Sequence, residues 1–223
     1  MIKLVIFDAD GPLYHRGQSV SELKAQLLSK YDCGGKLSKF EEIYEKEKFT
    51  GYSGSVSPSA MFQNILAKLG ASLDDEQSLR FAEEFDYIQS QIVAQPNAVQ
   101  VLTQLHQSGY KTCVLTDSFY PASEKWVWFE TLGIATNLDH IVSSCDIKHL
   151  KDTPEAYGAC LDHFGVSATE AVFVGHQEYE MAGARSAHIA SIAVIPIAPP
   201  EIHSDFKVQS LTELPELLER IEA

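Results

Sequence analysis

Two aspartates stand one residue apart, directly after the first apolar run of the chain. Residues 2–7 are apolar and rich in β-branched side chains, and they lead into Asp8 and Asp10, followed by Gly11 and Pro12. A short apolar run that stops at a turn signal predicts a buried strand. Two neighbouring carboxylates repel each other unless a cation or a proton lies between them. The pair therefore indicates metal-assisted chemistry, with one carboxylate as nucleophile and the other as acid and base.

Further polar side chains follow two later apolar runs. Thr116 and Asp117 come directly after residues 110–115, and residues 176–180 follow residues 171–174. The carboxyl ends of parallel strands lie along one edge of a sheet, and ligands bind at that edge. We therefore expect these side chains to gather around the two aspartates.

The rest of the chain supplies the elements that position these residues. After residue 96, apolar runs alternate with helical patterns, and Lys151, with Lys148 as its alternative, stands just before one helix start. This alternation is typical of a parallel sheet with helices on both faces. The predicted fold class is α/β, a Rossmann-like parallel sheet core with a helical domain inserted after the first strand. Strands are predicted at residues 2–7, 110–115, 141–142, 171–174 and 189–195.

Residues 15–95 are predicted to form the inserted domain, and residues 1–14 and 96–223 the core. The insertion reads as entirely helical, and Ser57 followed by Pro58 is a helix start within it. Residues 50–55, which contain two glycines, are predicted to be a flexible loop.

Composition narrows the range of functions. The chain has 223 residues and a net charge of −14, which argues against a nucleic-acid or anionic-membrane partner because those surfaces need basic patches. It contains no apolar stretch of transmembrane length. Its four cysteines are widely spaced, as in a reduced cytoplasmic protein. The expected location is the cytoplasm, and the composition predicts no particular oligomeric state.

Four ordered segments resemble the motifs of the haloacid dehalogenase-like hydrolase superfamily. The resemblance covers nearly the whole chain outside the insertion, which lies where this family carries its helical cap. The segments are Phe7-Asp8-Ala9-Asp10-Gly11, Leu115-Thr116-Asp117-Ser118, residues 151–157, and residues 172–175 with residues 182–187.

The resemblance implies a role for each motif. Asp8 attacks a phosphoryl group and forms an aspartyl-phosphate, while Asp10 protonates the leaving oxygen and then activates water. Thr116 and Lys151 hold the phosphoryl oxygens, with Asp117 beside them as a further phosphate-binding residue. The implied substrate is a small phosphorylated metabolite. Phosphoryl transfer depends mainly on positioning and charge neutralisation, which agrees with these roles.

The resemblance also implies a Mg²⁺ ion held by Asp8, the backbone carbonyl of Asp10 and acids of the fourth motif. That motif departs from the family pattern, because His176 stands at the first acidic position and Glu180 at the second. Imidazole is a poor ligand for Mg²⁺ and suits softer ions. We therefore expect weaker Mg²⁺ binding, with Glu180 as a ligand, His176 as a doubtful one, and Mn²⁺ as an alternative cation. Pro12 is a milder departure, since the family commonly has threonine there.

The best-supported function is thus a metal-dependent phosphatase. Asp10 favours phosphatases over the dehalogenase branch, which generally lacks that acid. One alternative, favoured by His176, is a catalytically weakened or non-enzymatic binding or regulatory protein. Another is a phosphomutase or a dehalogenase-type relative.

Overall fold

Two compact units make up the chain. The core unit comprises Met1–His15 and Ala94–Ala223, and the inserted unit comprises Arg16–Val93. The structure is a computed structural model that describes residues 1–17, 20–195 and 197–222.

Most of the strands form a single parallel sheet in the core unit. The strands are β1 (Leu4–Phe7), β2 (Tyr14–Arg16), β3 (Ile92–Ala94), β4 (Lys111–Thr116), β5 (His140–Ser143), β6 (Ala171–Gly175), β7 (Ala190–Val194) and β8 (Phe206–Val208). The sheet has the order β5-β4-β1-β6-β7-β8, with every described pair parallel, and β2 and β3 form a separate two-stranded sheet. β1 is therefore central, and the carboxyl ends of β4 and β6 lie on either side of its own.

Ten helices are described. They are α1 (Val20–Lys30), α2 (Leu37–Tyr52), α3 (Pro58–Lys68), α4 (Asp75–Gln89), α5 (Ala98–Gln107), α6 (Ala122–Thr131), α7 (Ser144–Ile147), α8 (Pro154–Phe164), α9 (Glu178–Ser186) and α10 (Leu214–Glu222). Short 3₁₀ helices precede β5, β6 and α10. Over these described residues, none of the helices combines the length and the apolar character that a membrane crossing needs.

The apolar core of the sheet unit fixes the strands and the helices that flank them. All four residues of β1 are fully buried, as expected for the central strand of a covered parallel sheet. On one face, Ile6 and Phe173 belong to a single apolar cluster with Tyr157 of α8 and Met181 of α9. This packing fixes α8 and α9 against the sheet, and with them the loops that precede both helices.

The inserted unit has an aromatic core of its own. Phe40, Tyr44, Phe62, Phe81 and Phe85 come from three helices and form one cluster, with the Phe62 and Phe85 ring centroids 4.6 Å apart. Aromatic pairs at such separations contribute beyond simple burial.

The predicted α/β fold class is confirmed, and so is the helix start at Ser57-Pro58, since Ser57 caps α3 and Pro58 opens it. Three details of the prediction were wrong. The insertion is not wholly helical, because β2 and β3 lie at its two ends. Residues 50–55 are not all loop, because α2 continues to Tyr52. β8 was missed, since a three-residue strand carries too short a pattern to recognise.

Candidate active site

Asp8 lies at the carboxyl end of the central strand. Its backbone N–H donates to the carbonyl of Val174 at 2.8 Å, which extends the β1–β6 pairing by one residue. Its Oδ1 accepts the N–H of Ala9 at 2.7 Å. The turn that follows needs Gly11, whose φ of +97° is a backbone conformation that side-chain-bearing residues rarely adopt. The strand end and this turn fix the Asp8 carboxylate in one position.

Lys151 joins Asp8 to a second carboxylate, that of Glu180. The lysine Nζ lies 2.6 Å from Asp8 Oδ1 and 2.5 Å from Glu180 Oε1, and all three side chains are buried. Burial lowers the pKa of Lys151, but the charges of Asp8 and Glu180 outweigh it and hold that pKa well above its usual value. Lys148, the alternative cation, is exposed.

The charge of Lys151 keeps Asp8 ionised. Burial raises the pKa of Asp8, but Lys151 and the neighbouring His176 outweigh it and lower the pKa to about 2. At neutral pH the group is therefore a carboxylate, the form that can act as a nucleophile.

The Asp117 carboxylate contacts both the backbone of Lys151 and the side chain of Tyr179. It follows β4, and its Oδ1 accepts the backbone N–H of Lys151 at 3.1 Å. Its Oδ2 accepts the hydroxyl of Tyr179 at 3.3 Å. Burial is the largest effect on this carboxyl and raises its pKa despite the opposing charge of Lys151. Asp117 thus connects the loops after β4 and α7 with the first turn of α9.

Thr116 and Asp10 lie near the carboxyl ends of two strands, β4 and β1. Thr116 is the last residue of β4, where it is buried and pairs with Ser143 of β5. Asp10 is half-buried, and its backbone forms a bridge with that of Tyr14. β4 and β1 are neighbours in the sheet, so Thr116 and Asp10 both belong to the edge that carries Asp8.

Glu180 sits in the first turn of α9 and closes a capping box. Its Oε2 accepts the backbone N–H groups of His176 and Gln177, each at 3.2 Å, while the Gln177 side chain accepts the backbone N–H of Glu180. Tyr157 donates its hydroxyl to the carbonyl of Glu180 at 2.7 Å. Burial and the charge of Asp8 raise the pKa of Glu180, against the opposing effect of Lys151.

His176 places an imidazole ring between the two carboxylates. Its Nδ1 lies 3.3 Å from Asp8 Oδ2 and 3.9 Å from Glu180 Oε2. Neither carboxylate is aligned with Nδ1 as a hydrogen-bond partner, nor is any other atom of the described residues, so the contact is electrostatic. Burial lowers the pKa of His176, but Asp8 and Glu180 outweigh it and raise that pKa above its usual value.

The neighbouring amide favours one tautomer of the neutral His176 ring. Gln177 uses its carbonyl oxygen to accept the N–H of Glu180, so its NH₂ group faces His176 Nε2 at 3.3 Å. That Nε2 must then act as the acceptor, and a neutral imidazole in this arrangement bears its hydrogen on Nδ1. The nitrogen that bears the hydrogen is therefore the one nearer to the carboxylates.

Three supporting residues received no role from the sequence. Gly183 of α9 lies so close to the Lys151 carbonyl that a Cβ at this position would fall 1.8 Å from the oxygen. The hydroxyl groups of Tyr157 and Tyr179 donate hydrogen bonds to the Glu180 carbonyl and to the Asp117 carboxylate, respectively. A glycine inside a helical pattern is the one available signal, because it often marks a close backbone approach.

Three side chains form a candidate site for a divalent cation. Asp8, His176 and Glu180 each offer one ligand atom, and these atoms lie within 4.8 Å of one another. Every carboxylate oxygen already faces a donor, however: Lys151 contacts one oxygen of each acid, His176 faces Asp8 Oδ2, and two backbone N–H groups bind Glu180 Oε2. The imidazole also presents N–H rather than a lone pair. The cluster as described does not fit a divalent cation.

Comparisons with known proteins agree on the family. The family model "Hydrolase: haloacid dehalogenase-like hydrolase" matches residues 2–188. The chain is 27% identical to glyceraldehyde 3-phosphate phosphatase of Methanopyrus kandleri, over 87% of this chain and 84% of the relative. It is 23% identical to (S)-2-haloacid dehalogenase 1 of Pseudomonas sp. strain CBS-3, over 99% and 98% of the two chains. The crystal structure of 2-haloacid dehalogenase from Pseudomonas syringae pv. tomato DC3000 superposes with a TM-score of 0.74 at 22% identity, covering 99% of this chain and 100% of the other.

Proposed function

The chain belongs to the haloacid dehalogenase-like hydrolases, and from this premise we propose that it is a phosphatase acting on a small phosphomonoester. One observation carries the proposal: an ionised, buried Asp8 is held by Lys151 at 2.6 Å, and Asp10 follows two residues later on the same loop. A nucleophilic carboxylate with a second acid beside it is what the two half-reactions of ester hydrolysis require. The relative named as a glyceraldehyde 3-phosphate phosphatase supports a phosphorylated metabolite as substrate.

The proposed reaction has two steps. A carboxylate oxygen of Asp8 forms a bond to phosphorus as the bond to the leaving oxygen breaks, and Asp10 gives its proton to that oxygen. Asp10 then takes a proton from water, whose oxygen attacks the phosphorus and releases inorganic phosphate and free Asp8. In both steps Lys151 and Thr116 hold the phosphoryl oxygens, and Lys151 offsets the added negative charge.

Asp117 was expected to bind phosphate. Both of its oxygens already accept hydrogen bonds, from Lys151 N–H and from Tyr179. A carboxylate is also a poor partner for an anionic phosphoryl group. We therefore assign Asp117 a positioning role: it holds the loop that carries Lys151.

The expectation of Mg²⁺ or Mn²⁺ stays a prediction from the resemblance. The hydrogen bonds of Asp8 and Glu180 weigh against it, and the steps above are written with the protein's own groups. A cytoplasmic location also stays a proposal, supported by the four cysteines, all of which are free thiols.

Carbon–halogen hydrolysis is a second candidate function. The observation that favours it is the full set of protein donors around Asp8 and Glu180, because displacement of a halide from carbon by Asp8 needs neither a cation nor a proton on the leaving group. The similarity to (S)-2-haloacid dehalogenase 1 supports it. Asp10 opposes it, since this reaction leaves that acid without a leaving oxygen to protonate.

One assay series separates the two candidates. Phosphate release is measured over a panel of phosphomonoesters, and chloride release is measured with both enantiomers of 2-chloropropionate. We expect phosphate release that is abolished in Asp8→Asn and strongly reduced in Asp10→Asn. Asp162→Asn, at an exposed position on α8, is the control and should retain full activity. Chloride release that survives Asp10→Asn would support the second candidate, and undiminished turnover by Asp8→Asn would exclude both mechanisms.

A further inference from the structure

We infer that this active site works without a bound divalent cation, and that His176 and Lys151 neutralise the Asp8 carboxylate in its place. The inference rests on the proposed function insofar as Asp8 is the nucleophile. It concerns the motif in which the chain departs most from its family, the segment from His176 to Glu180.

Three of the four carboxylate oxygens of Asp8 and Glu180 already bind protein donors. Asp8 Oδ1 and Glu180 Oε1 both bind the ammonium group of Lys151, at 2.6 and 2.5 Å. Glu180 Oε2 accepts two backbone N–H groups at the start of α9. Only Asp8 Oδ2 remains, and it faces the His176 ring at 3.3 Å. A hard cation such as Mg²⁺ needs several oxygen ligands, and here it would have to displace protein donors to obtain them.

The imidazole of His176 places its Nδ1 on the side of the two carboxylates. Metal coordination needs a ring nitrogen with a free lone pair, and the nitrogen nearest both acids is Nδ1. Gln177 faces the opposite nitrogen with its NH₂ group, which keeps the hydrogen on Nδ1. To bind a metal, the ring would have to exchange its tautomer and break the contact with Gln177.

The His176 ring occupies space beside Asp8. The His176 ring packs directly on Gly11, since a Cβ on that residue would lie 2.9–3.2 Å from three ring atoms. The turn after Asp8 therefore has room for the ring only because residue 11 is a glycine. The imidazole fills the region between this turn and the end of β6.

A divalent cation would also change the net charge of the cluster. Asp8 and Glu180 carry two negative charges and Lys151 one positive charge, so the cluster has a net charge of −1 when the His176 ring is neutral. A divalent cation would give it a net positive charge, at an additional desolvation cost for the ion. A carboxylate at position 176 would restore the negative charge that a cation needs.

The test compares the wild-type protein with His176→Asp. Binding of Mg²⁺ and of Mn²⁺ is measured by isothermal titration calorimetry, independently of turnover. Turnover of the best substrate is measured with excess EDTA and with added Mg²⁺. We expect no saturable metal binding and EDTA-resistant turnover in the wild-type protein. We expect saturable Mg²⁺ binding in His176→Asp, and turnover that EDTA abolishes. His106→Asp makes the same change at an exposed position on α5 and should behave as wild type.

His176→Asn is a second variant for the case that His176→Asp does not fold. Its amide adds no third carboxylate to the buried cluster. Thermal unfolding with and without Mg²⁺ shows whether each variant is folded and whether the ion binds, because a ligand of the native state raises Tm. His176→Asn should bind no Mg²⁺ and show no shift in Tm. Saturable Mg²⁺ binding by the wild-type protein, or EDTA-sensitive wild-type turnover restored by Mg²⁺, would overturn the inference. The proposed function fails on a different result, namely the absence of phosphate release from any phosphomonoester.

Discussion

Gly183 of α9 limits how close that helix can lie to the loop that carries Lys151. The Lys151 carbonyl occupies the space that a Cβ at position 183 would need, 1.8 Å from the oxygen. Gly183→Ala must therefore push α9 away from the Lys151 loop. We expect a loss of about 1–3 kcal/mol or more in the free energy of unfolding, the usual cost of overpacking. Urea-induced unfolding measures it.

Gly158→Ala is the matched control, because a Cβ there meets nothing within 4 Å and the residue lies inside α8. Replacing a helical glycine by alanine in open space should stabilise the protein by about 0.5–1 kcal/mol. Equal effects of the two substitutions would show that the contact between α9 and Lys151 does not constrain the fold.

Asp117 gives a second prediction at the scale of one residue. If it acts by holding the Lys151 N–H, the neutral acceptor in Asp117→Asn preserves part of that hold, whereas Asp117→Ala removes it. We expect Asp117→Ala to lower kcat by roughly 10- to 100-fold, because small displacements of a catalytic group are costly. Asp117→Asn should lose much less. Steady-state kinetics separates kcat from KM, and an increase in KM alone, equal in both variants, would instead assign Asp117 to phosphate binding.

The elements differ in how far the sequence could predict them. α3 and β1 were predictable because their signals are local: a capping serine with proline for one, and an apolar run stopped by acids for the other. β2, β3 and β8 have three residues each and form only through pairing with distant segments. Local patterns cannot reveal such strands.

The same distinction applies to the candidate site. Strand ends identify Asp8 and residues after β4 and β6 because parallel topology brings those ends together. The orientation of His176 depends on the amide of Gln177, and the role of Asp117 depends on a backbone N–H from another loop. Hydrogen-bond partners of this kind follow from three-dimensional packing rather than from residue spacing.

Two histidines link an edge strand to a helix and predict a pH dependence. The rings of His140 on β5 and His163 on α8 stack with centroids 3.5 Å apart. Burial and the charge of His163 lower the pKa of His140 below its usual value. The unfolded chain therefore binds a proton at a higher pH than the folded chain. It follows that stability is complete above the unfolded pKa of about 6.5 and falls as the pH drops through it towards the lower folded pKa.

The measurement is the free energy of unfolding between pH 7.5 and pH 5, where few carboxylates titrate. We expect His140→Asn to reduce the loss of stability over this range. His106→Asn, at an exposed site on α5, should leave the wild-type dependence intact. A pH dependence that His140→Asn does not change would show that the stacked pair remains uncharged or finds a compensating partner at low pH.

At the scale of the whole molecule, the net charge of −14 repels an anionic substrate as it approaches the protein. The field of the protein repels a phosphomonoester dianion at long range, while Lys151 attracts it only at the buried site. Salt screens the long-range field first, because the Debye length shrinks from about 30 Å at 0.01 M to about 8 Å at 0.15 M ionic strength. We therefore expect kcat/KM for a dianionic phosphomonoester to rise over this range. Phosphocholine is the control, because its quaternary ammonium group offsets part of the phosphate charge, and its kcat/KM should rise less. A fall in kcat/KM for the dianion would mean that the cations of the site, rather than the overall charge of the protein, govern substrate capture.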